Sequence, residues 1–277
     1  MILKKVKVSR LVSFAVLLLG AAIMLIPFIW MVLTSFKTFA ETVKLPIVWL
    51  PSSWKLDNYT YILDKMNFLL YYRNTFIMTT LVVIGQLFIC SLAAYAFARL
   101  RFPGQGLIFA SLLLVLMVPG QMTMIPRYLM VERFRWTDTF MGLILPLVPS
   151  AYSTFLLRQF FMTLPKDLEE AARIDGCSYF RTYWNILLPL CTSSLIACGI
   201  LTFMDIWNGL LWPLIVCNTE KMRVLSVALS AMQGGQYGTR YQYLMAASVL
   251  ATLPTILVFI VGQKYFIQGI ALSGIKG

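Results

Sequence analysis

Six stretches of the chain, 11–36, 74–98, 102–126, 139–157, 182–204 and 241–263, contain no Lys, Arg, Asp or Glu. Each approaches or exceeds the roughly 20 apolar residues that carry a helix across the hydrocarbon core of a bilayer. The pattern predicts an all-α membrane protein with six transmembrane helices, its charges confined to the connections. Within the third run, Pro119 and Gly120 interrupt the apolar sequence and Pro126 closes it. A break or kink is expected there, because proline lacks the N–H that a continuous helix needs.

The ends of the runs predict orientation. Lys4, Lys5, Lys7 and Arg10 precede the first run, whose 26 uncharged positions exceed the roughly 7–15 of a secretory signal core. The run is therefore read as a retained first span with a cytoplasmic N-terminus. Alternating outward from there, the inner side carries 12 Lys plus Arg and the outer side 10, with Arg127 unassigned. The long outer segment 37–73 holds Trp49, Trp54, Tyr59 and Tyr61 beside Pro46 and Pro51. It is expected to fold along the membrane surface, where amphipathic aromatic rings gather.

Composition narrows the chemistry. Of 277 residues, 60% are hydrophobic and 12% charged, against about 25% charged in an ordinary soluble domain. There is no histidine, which removes imidazole acid–base catalysis, the Ser-His-Asp arrangement and most transition-metal sites. The net charge of +12 sits beside the spans, where it fixes orientation and meets lipid head groups, so nucleic acid is not expected as a partner. Cys90, Cys177, Cys191, Cys198 and Cys217 form no CxxC pair and read as small packing residues, with no metal expected.

The inner connection 162–190 is the informative one. Asp167, Glu169 and Glu170 suit the positive N-terminal end of a helix, and Gly176 suits its left-handed stop, predicting a short helix over 166–175. Ser178 can cap a second stretch running to Leu188, with Pro189 starting the next span. Leu168, Ala171 and Ala172 share a face of the first helix. The small alanines make that helix a docking knob for another protein; a helix lying flat on the membrane is the alternative.

The spacing Glu170, Ala171, Ala172, Gly176, Ile186 and Pro189 resembles the EAA motif of permeases of ATP-binding-cassette (ABC) importers. Trp207 and Asn208 followed by Leu211 to Leu214, the run Leu244 to Ser248, Thr252 to Pro254, and Gln263 to Phe266 extend the resemblance to the maltose-type carbohydrate permeases. It covers most of the chain, including Trp49 to Pro51, Asn58, Tyr59 and Arg101 to Gly104.

This resemblance implies a type I importer permease fold with a five-helix core over 73–262. Residues 1–72 would form the N-terminal tail, first span and outer segment, and 263–277 a cytoplasmic tail touching an ATPase. It implies a multi-pass subunit of a bacterial or archaeal inner membrane, with both termini cytoplasmic, that imports di- or oligosaccharides. The implied partners are a homologous permease subunit, two cytoplasmic ATPase subunits and an extracytoplasmic solute-binding protein. This chain would bind no cofactor, and ATP and Mg would be used by the partner ATPase; no phosphate-loop sequence GxxxxGK[ST] occurs in it.

Glu170, Ala171, Ala172, Gly176, Ile186 and Pro189 would then couple to the ATPase. Asp205, directly after the fifth charge-free run, is the only acid read as belonging to a span; it and Asn208 are the candidate pathway residues, although relatives often carry a polar residue where Gly209 stands. A mid-membrane acid should face water or a partner subunit. The loop with Gln233, Gly234, Gly235, Gln236 and Tyr237 would reach into the docked binding protein, glycines allowing close approach and Gln and Tyr offering groups that replace sugar hydroxyls. Two rivals stay open: a stand-alone secondary carrier or channel, which would need an ion-coupling site and usually inverted repeats, and a permease for a non-sugar solute such as glycerol phosphate.

Overall fold

A computed structural model describes residues 2–234 and 239–274 of the chain. The elements are α1 (Ile2–Ser35), α2 (Phe39–Val43), α3 (Asp57–Lys65), α4 (Phe68–Arg99), α5 (Gln105–Leu116), α6 (Met124–Arg133), α7 (Phe140–Ile144) and α8 (Ala151–Thr163). They continue with α9 (Asp167–Ile174), α10 (Tyr179–Thr182), α11 (Leu188–Leu190), α12 (Thr192–Asn208), α13 (Leu211–Val216), α14 (Leu225–Ala231) and α15 (Tyr241–Gly274). No strand occurs among the described residues.

All six apolar runs are largely helical, but they cross differently. Single helices long enough to span cover Arg10–Ser35, Phe68–Arg99 and Tyr241–Lys264. Two further runs are bent pairs: Phe140–Leu147 with Ala151–Thr163 at 44°, and Tyr179–Leu190 with Thr192–Asn208 at 79°. The third run is broken as Pro119 and Gly120 predict. Its helix α5 has 12 residues, turns occupy 117–123, and α6 follows.

Two compact units are present, Met1–Leu69 with Leu229–Leu253, and Leu70–Ala228 with Pro254–Gly277. In the first, the most apolar stretch of α1 buries none of its residues, as expected of a helix that is hydrophobic all round and meets lipid or another chain. The outer segment is folded rather than loose. Lys37 is fully buried, its Nζ donating to the Val48 carbonyl at 2.6 Å and lying 3.8 Å from the centre of the Trp30 ring. Asn58 Nδ2 donates to the carbonyls of Ser35 and Lys37. Thr38 and Glu41 form a reciprocal capping box on α2. Tyr61 and Tyr243 stack at 4.3 Å.

In the second unit, α4 is the central post. Asn74, Met78, Val82, Gln86, Cys90 and Ala94 recur every fourth residue and are each at most 5% exposed, so they form one buried stripe. Met78 and Val82 enter an apolar core with Val131, Leu143, Val148 and Trp212. Cys90 and Ala94 enter a second core with Leu157, Phe161, Tyr183 and Cys198. Gln86 lies between the two and ties three helices, its Nε2 donating to Ser153 Oγ of α8 at 2.6 Å and Thr202 Oγ1 of α12 at 2.8 Å. With no water to satisfy polar groups in a bilayer, such interhelical bonds fix helix register.

Candidate functional site

The predicted short helix is α9, one residue shorter at each end than the expected 166–175. Its stop is a complete Schellman motif: Gly176 has φ +76°, its N–H donates to the Arg173 carbonyl at 3.0 Å, and the Cys177 N–H donates to the Ala172 carbonyl at 2.9 Å. The face expected to carry Leu168, Ala171 and Ala172 together is divided. Ala172 is buried and Leu168 half-buried, whereas Glu170 and Ala171 are exposed. Ile174 is 87% exposed, an apolar tip that the sequence reading passed over. A helix end that leaves isoleucine in water offers apolar area to a protein cleft.

Beyond the knob, Ser178 Oγ accepts from the Arg181 N–H as the predicted cap. The following stretch is helical to Leu188 as expected and continues to Leu190, but it is not uniform. Residues Tyr183–Leu187 form a π turn, and the break falls at Cys191, two residues past Pro189, which sits inside α11 rather than starting a span. The reason is local: Pro189 supplies no N–H and its ring crowds the carbonyl four residues back, so the chain widens before it and bends after it. Ile186, half-buried, lies in the π turn, and Pro189, exposed, lies in the bend. Neither is on α9. Tyr183, fully buried, shares a 2.8 Å hydrogen bond between its hydroxyl and Ser91 Oγ of α4.

What fixes α9 to the helices is a residue the sequence reading did not single out. Arg99, the last residue of α4, places Nε 3.0 Å from Glu169 Oε1, and its Nη2 donates to the carbonyls of Phe161 and Leu164 at the end of α8. The guanidinium thus caps α8 where its last carbonyls lack partners, and holds α9 through a charge pair. Burial pushes the Glu169 carboxyl above its usual pKa range, while Arg99, Arg173 and Lys166 pull it down.

Asp205 and Asn208 lie in the last turn of α12 and both are exposed within this chain. They part there. Asp205 lines two cavities of about 490 and 360 Å³, whereas Asn208 lines neither and donates to the Met204 carbonyl of its own helix at 2.7 Å. Arg127 lines both cavities with Asp205, and Gln86 and Ser153 line the larger. Arg127 lies 5.6 Å from the centre of the Trp212 ring, and neither it nor Asp205 makes an ion pair with a described residue. A charge directly after Pro126, left over in the side-by-side count, was the signal for Arg127; a glutamine every-fourth-residue in line with Met78 and Ala94 was the signal for Gln86.

The outer loop is described only in part. Gly234 has φ +79° and its N–H donates to Thr239 Oγ1 at 3.1 Å, and Gln233 precedes it. Gly235, Gln236 and Tyr237 lie outside the described residues. The helix α15 continues past Gln263 to Gly274, so no change of secondary structure marks the predicted start of the tail.

Comparison with known proteins agrees with this geometry. The chain is 33% identical over 260 residues to the arabinooligosaccharides transport system permease protein AraQ of Halalkalibacterium halodurans, covering 93% of each. It is also 33% identical over 273 residues to the sn-glycerol-3-phosphate transport system permease protein UgpE of Brucella abortus, covering 95% of this chain and 96% of that one. Its fold superposes with a TM-score of 0.84 on the crystal structure of a bacterial ABC transporter involved in import of the acidic polysaccharide alginate, at 23% identity, covering 94% and 97%. That is the type I importer permease architecture. Residues 86–272 match the family described as binding-protein-dependent transport system inner membrane component, and the chain belongs to that family.

Proposed function

We propose that this chain is the transmembrane permease subunit of an ATP-driven, binding-protein-dependent importer of di- or oligosaccharides. The observation that carries the reading is the α9 knob with its Gly176 stop, tied by Arg99 to the ends of both α4 and α8. ATP hydrolysis takes place in two cytoplasmic partner subunits, whose closure moves α9. Arg99 passes that movement to α4 and α8, and Tyr183 passes it through the bent segment toward α12. Alternating access results. Glu170, Ala171, Ile174 and Gly176 meet the ATPase, and Ile186 and Pro189 shape the bend that transmits the motion. A homologous permease completes the pathway, with Asp205 facing it, and the 233–237 loop meets an extracytoplasmic solute-binding protein. Both termini and the tail 263–277 lie on the cytoplasmic side, against the ATPase.

A second reading, an acidic or phosphate-bearing solute, is favoured by Arg127, a cation at the solute-facing cavities with no carboxylate paired to it among the described residues. Purifying the tagged chain from its native membrane tests the reading of the complex: a homologous permease and an ATPase should come with it. A chain that emerges alone and exchanges solute without ATP would overturn it. Uptake of labelled arabino-oligosaccharide against glycerol 3-phosphate separates the two solutes, and Arg127→Gln should impair only the phosphate.

A further inference from the structure

Between the end of α4, the start of α5, the middle of α8 and α9 lies a cavity of about 690 Å³, to which the transport reading assigns roles only for Arg99 and Glu170 and no ligand. Its lining carries five cations, Arg99, Arg101, Arg158, Lys166 and Arg173, against two carboxylates, Glu169 and Glu170. Arg99 and Glu169 form an ion pair. That leaves four cations and one carboxylate around a single space. Arg158 donates Nε to the Phe97 carbonyl at 3.1 Å, and Arg173 lies over the Tyr179 ring at 4.9 Å and acts on Glu169 through its charge. Arg101 and Lys166 donate to no described residue through their side chains. Four cations around one space make its potential positive and favour an anion there, which charge-assisted hydrogen bonds can hold.

The site is built rather than accidental. The Phe97 carbonyl accepts from Arg158 Nε and from Gln105 Nε2 at 2.9 Å, and the Arg158 guanidinium lies 4.1 Å from the centre of the Phe109 ring, so the cation is held in place from two sides. The first turn of α5 belongs to the lining, and directly along that helix Leu107 and Ile108 are 77% and 53% exposed. A basic cavity that opens onto an exposed apolar helix matches a molecule with an anionic head and hydrocarbon chains. Basic pockets between membrane helices hold anionic lipid head groups in this way.

We propose that this cavity binds the phosphate of an anionic phospholipid head group, its chains lying along α5. The proposal goes beyond the transport reading and does not depend on the solute carried. The test is native mass spectrometry of the full chain with its co-purifying subunits, titrated with phosphatidylglycerol and with phosphatidylcholine of equal chain length. Phosphatidylglycerol should bind in preference. Arg101→Gln should weaken it about fivefold and Arg101→Gln with Arg158→Gln about 25-fold, as expected for one and two lost surface cations. Lysine at both positions should restore it. Arg101 is exposed, so its single variant remains informative if the double variant does not fold. Equal binding of the two lipids, or unchanged phosphatidylglycerol affinity in Arg101→Gln, would overturn the proposal. Full competition by inorganic phosphate would reassign the site to a free anion, and loss of lipid whenever the ATPase is bound would reassign it to that protein; either result overturns the lipid assignment.

Discussion

Arg99 Nε and Glu169 Oε1 meet at 3.0 Å with only 4% and 13% of their side chains exposed, joining the last residue of a membrane span to the helix that projects beyond it. Removing one partner of a buried pair strands the other, at a cost of about 3–5 kcal/mol. Arg99→Ala should therefore lower thermal stability strongly and also reduce uptake per ATP hydrolysed. Combining it with Glu169→Ala should cost less than the two changes added, which a double-mutant cycle reads directly. Simple additivity would show that the pair does not act as a unit.

Gly176→Val tests the knob itself. The position has open space around it and φ +76°, so the penalty comes from backbone alone, about 1–2 kcal/mol for a β-carbon in the left-handed region. Global unfolding should shift little, while the end of α9 changes direction. The expected result is ATP hydrolysis without matching uptake. Normal coupling in this variant would remove α9 as the docking element.

Gly142 presents the opposite case. A β-carbon there would collide with the Trp136 carbonyl and press on Val131 Cγ1, and a backbone atom cannot rotate away. Gly142→Ala should lose about 1–3 kcal/mol by overpacking. Gly20→Ala, with nothing within 4 Å, is the control and should leave the melting temperature unchanged. Equal melting of both variants would contradict the packing around α7.

Gln86→Leu removes the donor shared by Ser153 and Thr202 at the layer between the two apolar cores. Interhelical hydrogen bonds in membranes average about 0.6 kcal/mol and reach about 1.7. The variant should be less stable by an amount in that range, measured by unfolding in mixed micelles, and the larger Asp205 cavity should lose part of its polar wall. A stabilised variant would mean that the bonds do not offset the burial of the amide.

Glu41 gives a pH dependence with a definite sign. Hydrogen bonds from Ser52 and Thr38 hold its carboxyl down to about 2, below the usual 4.5. A depressed acid stabilises the folded form above its unfolded pKa, and that contribution disappears as pH falls from 4.5 through about 2. The protection of the Ser52 amide, whose N–H donates to Glu41 Oε1 at 2.8 Å, should fall relative to its intrinsic exchange rate over this window. Glu41→Gln should remove the dependence; protection that persists to the bottom of the window would contradict the assignment.

Local residue patterns were enough to establish the solvent, the element type and the short helix α9. Charge-free runs of about 20 residues admit few structures other than helices in lipid, Pro119 with Gly120 could only interrupt one of them, and Gly176, four positions after Ala172 at the end of the acidic turn and alanines of α9, marked a left-handed stop. These are local constraints, each carried by residues close in the chain. The tertiary structure decided what depends on distant residues meeting. Arg99 and Glu169 lie far apart in sequence, and nothing local tells an arginine at a span end that it will cap another helix. Arg127 and Asp205 share cavity walls only because α6 and α12 are brought together. Gln86 was legible as a polar member of a four-residue series, yet its partners Ser153 and Thr202 come from two other helices. At the bend near Cys191 both levels meet: Pro189 is the local cause of the disturbance, and Tyr183 of the π turn is buried with its hydroxyl hydrogen-bonded to Ser91 of another helix.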